Sequence, residues 1–285
     1  MLGHVLNGLS FGGLLFLLAS GLTLTFGMMR TVNLAHGAFY ALGGYLALAV
    51  IRASGSYLLG LVVAVAVVAV VGVVLERVVL QRVAGRELPQ IMITVGIAYV
   101  IGDVVLAVWG GRPQTLPRPP GLDGVLNLGS LTFPWFRLGL LVLAVVVYLV
   151  LQRSLADTLV GARIRAAVDD DETARAVGID VGMLFAVTFA AGSGLAAFAG
   201  VWGGAFTGLR PGTEWDILLL ALIVVVVGGL GSIRGAFVAA LLVGLLDEFG
   251  KWLFPSFALF TLYAPVAVLL ALRPRGLFGR EERVA

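Results

Sequence analysis

Few residues of this chain could do covalent chemistry, and the polar residues whose spacing stands out lie beside glycines in apolar sequence. There is no cysteine, and the two histidines, His4 and His36, are far apart. Thiol catalysis, disulfides and a histidine-rich metal site are therefore excluded. What remains is a pair of similar stretches. Asn33-Leu34-Ala35-His36-Gly37-Ala38-Phe39-Tyr40-Ala41 leads into Gly43-Gly44, and Gly228-Gly229-Leu230-Gly231-Ser232-Ile233-Arg234-Gly235-Ala236-Phe237-Val238-Ala239 follows much later. Both contain Gly-Ala-Phe-x-Ala, with His36 or Arg234 just before the shared glycine. A helix broken at membrane depth frees backbone N–H and C=O groups that lipid cannot satisfy and a polar cavity can. Glycine-interrupted apolar segments in two halves of a chain point to a transport path. Its candidate lining is Asn33, His36, Gly37, Gly43, Gly44, Gly231, Ser232 and Gly235, with Asp103 as a carboxylate inside another apolar segment. The competing reading of the repeat is a coincidence of small residues. His36 has two roles open to it, a cap on the broken helix or a lining group beside Asn33.

The elements that must position these residues are membrane helices. The chain of 285 residues is 60% hydrophobic and 12% charged, with a mean hydropathy of +1.06. A soluble domain carries roughly 25% charged residues. The length suits an all-α polytopic bundle of about eight to ten spans, with short broken helices and an internal repeat. It reads as one transmembrane domain over residues 1–285. Apolar segments fall at 5–29, 36–51, 57–80, 89–109, 134–151, 181–203, 215–230, 235–253 and 257–272. The first reads as a retained span and not as a cleaved leader. Segments 36–51 and 215–230 are short for a crossing and read as half-helices or short spans.

Arginine orients the bundle. All but Lys251 of the 19 basic residues are arginine, and no basic cluster has the interleaved aromatics of a nucleic-acid surface. Arg77, Arg82 and Arg86, then Arg153, Arg163, Arg165 and Arg175, then Arg273, Arg275, Arg280 and Arg283 mark three regions as cytoplasmic. The proline-rich connection 110–133 and the segment 207–214 then fall outside, and nine crossings put the N-terminus outside and the C-terminus in the cytoplasm. That count runs both Gly-Ala-Phe segments in the same direction, whereas an inverted repeat requires one short segment to be re-entrant.

Residues 152–180 form the one sizeable hydrophilic stretch expected in the cytoplasm. Asp169-Asp170-Asp171-Glu172 precede Thr173-Ala174-Arg175-Ala176-Val177, and Gly178 follows. Acidic residues favour a helix start and glycine supplies a left-handed end, so a short helix is expected at about 170–177. It would present Ala174 and Val177 as a small apolar face to a partner; the alternative is a solvated connector.

Glu172-x-Ala174-x-x-x-Gly178 resembles the Glu-Ala-Ala-x-x-x-Gly coupling loop of ABC importer permeases, with Thr173 in place of alanine and no hydrophobic-proline tail after Gly178. Further matches are Asn33-x-Ala35-His36-Gly37 and Gly43-Gly44-Tyr45, Gly161-x-x-x-Arg165-Ala166 with Gly178-Ile179, Gly228-Gly229-x-Gly231-Ser232-x-x-Gly235-Ala236, and Arg273-Pro274-x-Gly276-Leu277-Phe278-Gly279. Across essentially its whole length the chain resembles branched-chain amino acid ABC importer permeases of the LivH type. The resemblance implies an inner-membrane permease that passes leucine, isoleucine or valine inward. It implies a second related permease or a second copy, two ATP-binding cassette subunits that bind ATP and Mg, and an extracytoplasmic solute-binding protein. Asp171, Glu172, Ala174, Val177 and Gly178 would couple to the ATPase. The chain has no phosphate-binding Gly-x-x-x-x-Gly-Lys-Ser/Thr loop, so no cofactor is expected on it and it is not expected to be an enzyme.

Urea and short amides are the nearest competing solutes. An intramembrane enzyme would need an activated nucleophile, and Ser193 and Thr188 lack a signature of one. A passive channel would not need residues 152–180. Asp103 either lines the path or snorkels to the nearby surface. Glu76 and Arg77 read as a helix-end anchor, and Glu214, Asp216, Asp247 and Glu248 as headgroup-level residues.

Overall fold

A computed structural model describes residues 1–29, 33–128 and 131–279; Arg280 and Arg283 of the basic C-terminus lie outside the described residues. Each of the nine apolar segments forms a helix. These are α1 (Leu2–Met29), α2 (His36–Ser54), α3 (Tyr57–Val78), α4 (Glu87–Trp109), α5 (Trp135–Asp157), α8 (Val181–Phe206), α9 (Thr213–Gly228), α10 (Ile233–Leu253) and α11 (Ala258–Leu272). Two more, α6 (Leu159–Asp169) and α7 (Asp171–Ala176), occupy the hydrophilic stretch. The helix boundaries follow local chemistry. Gly55, at φ 70°, closes α2 by donating its N–H to Ile51, and the Ser56 side chain accepts from the Leu59 N–H to open α3.

Among the described residues seven helical segments are long and apolar enough to cross a membrane, α1 to α5, α8 and the 18-residue run Pro255–Leu272 that contains α11. The other two fall short for different reasons. Sixteen-residue α9 is about 24 Å long at 1.5 Å per residue, less than the roughly 30 Å of a hydrocarbon core. Helix α10 carries Arg234, Asp247, Glu248 and Lys251, and its charges near one end are paired, Lys251 to Asp247 at 2.6 Å and Glu248 to His4 at 2.8 Å.

Helix α1 is the centre of the bundle. Residues 14–19 are fully buried, as a helix apolar on every side must be. It packs antiparallel to α10: Gly8 meets Gly244, Gly12 meets Ala240, and Gly27 meets Gly231. Phe16 and Phe237 stack edge-on at 5.0 Å between them. Helix α5 lies on another side of α1, with Gly13 against Ala144, while α8 passes Gly21 at Gly192 and α3 at Ser193.

The bundle has two unlike ends. One, the hairpin end, holds the N-terminus of α1 and a short antiparallel pair, β1 (Val125–Leu128) with β2 (Leu131–Pro134). The other, the arginine end, holds Met28, the α6–α7 pair and the turn from α9 to α10. The proline-rich connection lies at the hairpin end. It contains the hairpin, and Gln114 pairs with Leu209 through two backbone hydrogen bonds of 2.7 and 2.8 Å. That bridge ties the α4–α5 connection to the α8–α9 connection.

Candidate translocation pathway and coupling loop

Helix α2 begins in the middle of the bundle. His36 Nε2 lies 2.9 Å from the Leu18 carbonyl, and Leu18 is eleven residues, about 16 Å, from the end of α1. The chain just before it turns on side-chain bonds. Asn33 Oδ1 accepts from the Ala35 N–H at 3.0 Å, and the Leu34 N–H donates to Thr94 Oγ of α4 at 3.2 Å. The contact to a carbonyl means that Nε2 carries the ring proton and Nδ1 is an acceptor, left without a partner among the described residues. His36 is fully buried. Of its two sequence roles, the geometry gives it that of a brace between α1 and the start of α2.

Helix α9 begins at the same depth. A side chain at Gly37 would put its Cβ 2.0 Å from the Glu214 carbonyl oxygen, so only glycine lets the two helix starts touch. From that point α2 runs to the hairpin end and α9 to the arginine end, where Gly228 packs on Gly235. Two half-helices of opposite sense thus meet at their N-termini. They are not the two Gly-Ala-Phe stretches. The second of those opens α10 at the arginine end, with Ser232 accepting from the Gly235 N–H at 3.1 Å, and it runs in the same sense as α2.

The candidate lining residues therefore separate. Gly37, Gly43 and Gly44 serve close packing, Gly37 against Glu214, Gly43 against Ala197 and Gly44 against Leu209. Gly231 and Ser232 lie in the α9–α10 turn, and Gly235 in the first turn of α10. Asn33 is buried at the break, with its Nδ2 unpaired among the described residues. Asp103 is exposed on α4, about 9 Å short of that helix's end at Trp109. Beside it, a Cβ on Gly102 would lie 3.3 Å from Glu214 Oε1, and the Tyr99 and Trp215 rings are 5.2 Å apart. Among the described residues neither Asp103 nor Glu214 is in an ion pair.

The placement of Glu214 corrects the sequence reading, which put it at headgroup level. After α8 the chain folds back, buries Leu209 and starts α9 inside the bundle, which carries Glu214 down to Gly37. Thr94 was missed as well. The acidic first turn of α9, directly after Gly212, was the available signal for Glu214; for Thr94, a lone threonine in an apolar segment gives none.

In the hydrophilic stretch, Asp170 caps α7 by accepting from the Thr173 N–H at 2.9 Å and hydroxyl at 2.6 Å. Those bonds hold its carboxyl below the usual range, because they favour the charged form. Arg175 pairs with Asp171 across one turn, which raises the guanidinium further. Gly178, at φ 87°, ends the helix, and the Ile179 N–H returns to the Ala174 carbonyl at 3.0 Å, the bond pattern of a glycine-terminated helix. Asp171, Glu172 and Gly178 are exposed.

Ala174 does not share the outward face expected for it. It is 2% exposed and packs with Met28, Ala167 and Val181, whereas Val177 is 72% exposed. The apolar cluster needs a small inward residue to seat α7 on α1 and α8, whereas Val177 is the C-cap beyond the last helical residue, Ala176, so the one-turn spacing does not bring it onto the buried face. Helix α6 was not foreseen. Thr158 caps it by accepting from the Gly161 N–H at 3.1 Å, and Arg165 binds back to the Leu155 and Ala156 carbonyls, which explains the Gly161 and Arg165 spacing.

Membrane-length helices, two half-helices meeting at depth and a capped helix presented at one end together define a polytopic membrane permease. The chain belongs to the family described as branched-chain amino acid transport system, permease component, whose model matches residues 4–272. It is 26% identical to the high-affinity branched-chain amino acid transport system permease protein BraD of Pseudomonas aeruginosa, over 99% of this chain and 96% of that protein. It is 27% identical to the permease proteins LivH of Salmonella typhimurium and Escherichia coli, again over 99% of this chain and 96% of each relative. No solved structure matches it.

Proposed function

We propose that this chain is one of two permease subunits of an ABC importer of the prokaryotic inner membrane, carrying leucine, isoleucine or valine into the cell. One observation carries the reading: a member of this permease family, matched from residue 4 to 272, presents the capped helix α7 at its arginine-rich end. Arg77, Arg82, Arg86, Arg153, Arg163, Arg165, Arg175, Arg273 and Arg275 make that end the cytoplasmic one by the charge rule for membrane loops. The N-terminus and the β1–β2 hairpin are then outside, available to a solute-binding protein. The partner ATP-binding subunits hold ATP and Mg and grip α7 through Asp171, Glu172, Val177 and Gly178.

The path follows the meeting point of α2 and α9. Asp103 and Glu214 supply carboxylates there, and an unpaired carboxylate at membrane depth costs roughly 2.5–3.5 kcal/mol unless it faces a partner or water. They line the route on the face that joins the second permease, which is a related subunit or a second copy. Few polar side chains reach this route, so discrimination among solutes rests with the binding protein.

The test is ATP-driven uptake in proteoliposomes containing the chain with its ATP-binding subunits and binding protein. Uptake of leucine that needs ATP and is competed by isoleucine and valine is expected. Uptake of urea or short amides in place of leucine would reassign the solute. Uptake without ATP would reassign the class to a passive channel.

A further inference from the structure

The lipid-facing surface of the bundle carries an open apolar groove between α3, α5 and α8, and what lies at its end points to an occupant. Helix α3 packs on α8, with Gly72 against Ser193, while α5 packs on α1, with Gly13 against Ala144. The two helices thus straddle α8 with space between them. The space is a groove of about 410 Å³ lined by Val65 and Ala69 of α3, Val147 of α5, and Ala191, Gly194 and Phe198 of α8. Its floor is made of small side chains.

The groove continues along exposed apolar residues to a charge. On α8 the track runs from Ala191 through Val187 and Met183, both about half exposed, each one turn from the last. On α3 it runs from Val65 to Ala69, one turn further along the same face, and Arg77, near the end of that helix, reaches the track through Met183. Arg77 Nη2 donates to Met183 Sδ at 3.0 Å, which closes the end of the track with a weak acceptor. Among the described residues Arg77 has no carboxylate partner, and the neighbouring Glu76 is turned inward and buried. Most of the guanidinium fork is therefore free to bind an anion.

From Val65 to Arg77 is twelve residues, about 18 Å of helix. One leaflet contributes half of a hydrocarbon core of about 30 Å, so the α3 side of the track covers about one leaflet and stops at headgroup level, while on α8 the lining reaches Phe198, fifteen residues or about 22 Å from Met183. A transmembrane helix from a partner would need the groove to continue through both leaflets.

We propose that this groove binds an anionic phospholipid of the inner leaflet, with an acyl chain between α3, α5 and α8 and the phosphate on Arg77. Basic sites between membrane helices on the cytoplasmic side recognise anionic headgroups, and the guanidinium fork matches phosphate oxygens. The lipid fills a space that protein side chains leave open between α3 and α5.

The test is native mass spectrometry of the assembled transporter, titrated with phosphatidylglycerol and with phosphatidylcholine of identical chains. The intact protein is expected to retain phosphatidylglycerol several-fold better than phosphatidylcholine. Arg77→Gln should bring the two lipids level, and Ala191→Phe, which fills the groove from its exposed side, should lower retention of both. Arg153→Gln, at the same end of the bundle but off the groove, should leave the preference intact. Equal retention of the two lipids by the unaltered protein, or an unchanged preference in Arg77→Gln, would overturn the proposal. So would a disulfide formed between a cysteine at position 191 and the second permease, since that places protein and not lipid in the groove.

Discussion

Glu214 Oε1 sits within 3.3 Å of the place where a side chain on Gly102 would begin, which brings an unpaired carboxylate of α9 onto the backbone of α4 next to Asp103. Asp103, the residue after Gly102, is itself exposed on α4. Glu214→Gln and Asp103→Asn remove charge and keep volume. Each is expected to lower ATP-driven uptake at least several-fold with the thermal midpoint of the purified protein nearly unchanged. Full uptake by both variants would remove these carboxylates from the path.

The brace at His36 is a stability prediction. His36→Ala removes the bond to the Leu18 carbonyl and leaves a hole among buried side chains, for a loss of about 2–4 kcal/mol. His36→Gln can still donate to Leu18 and should recover part of it. Thermal denaturation in detergent reads the order: unaltered protein, then glutamine, then alanine.

At the half-helix junction Gly37→Ala drives a methyl group into the Glu214 carbonyl. The overpacking should cost about 1–3 kcal/mol and push α9 away from α2. A matching alanine at Gly96, where a Cβ meets nothing within 4 Å, should be harmless. The comparison separates the junction from a general intolerance of larger residues.

Ala174 and Val177 should give opposite results. Ala174→Leu overfills the cluster with Met28 and Val181 and is expected to lower stability. Val177→Asp changes only an exposed residue, so it should leave stability and uncouple ATP hydrolysis from uptake. Co-purification with the ATP-binding subunit and coupled uptake, measured together, decide between docking and a plain connector.

The cap on α7 carries a pH signature. A carboxyl held below its ordinary value contributes stability that is present above that value and is lost as pH falls through the lowered one. Asp170 should therefore keep α7 capped through the ordinary carboxylate range and release it only in stronger acid. A carbon-13 NMR titration of labelled Asp170 checks this, and Thr173→Ala, which removes the hydroxyl bond, should move the titration upward.

Much of the architecture is legible in the sequence because its causes are local. Runs of apolar residues specify the nine helices, and Asp170 with Gly178 specifies α7 to within a residue at each end. Depth is another matter. Nothing local tells Glu214 that the chain before it folds back through Leu209, and an acidic residue at the head of a span reads equally well at a headgroup. The similarity of residues 36–41 to 234–239 is also misleading in this respect, because small residues are demanded by close packing wherever it occurs. The half-helix partner of α2 is α9, which shares with it only a glycine near its start.

The glycines along α1 and α10 carry a mechanical consequence. Gly8 with Gly244 and Gly12 with Ala240 bring main chain against main chain with no side-chain cushion, so neither helix can slide on its neighbour without first lifting away. Dense packing of this kind resists gradual deformation. The two should travel as a single strut through the working cycle, leaving the hinging to the looser seams around α3 to α5; spin labels on α1 and α10 would then report the same separation in every nucleotide state.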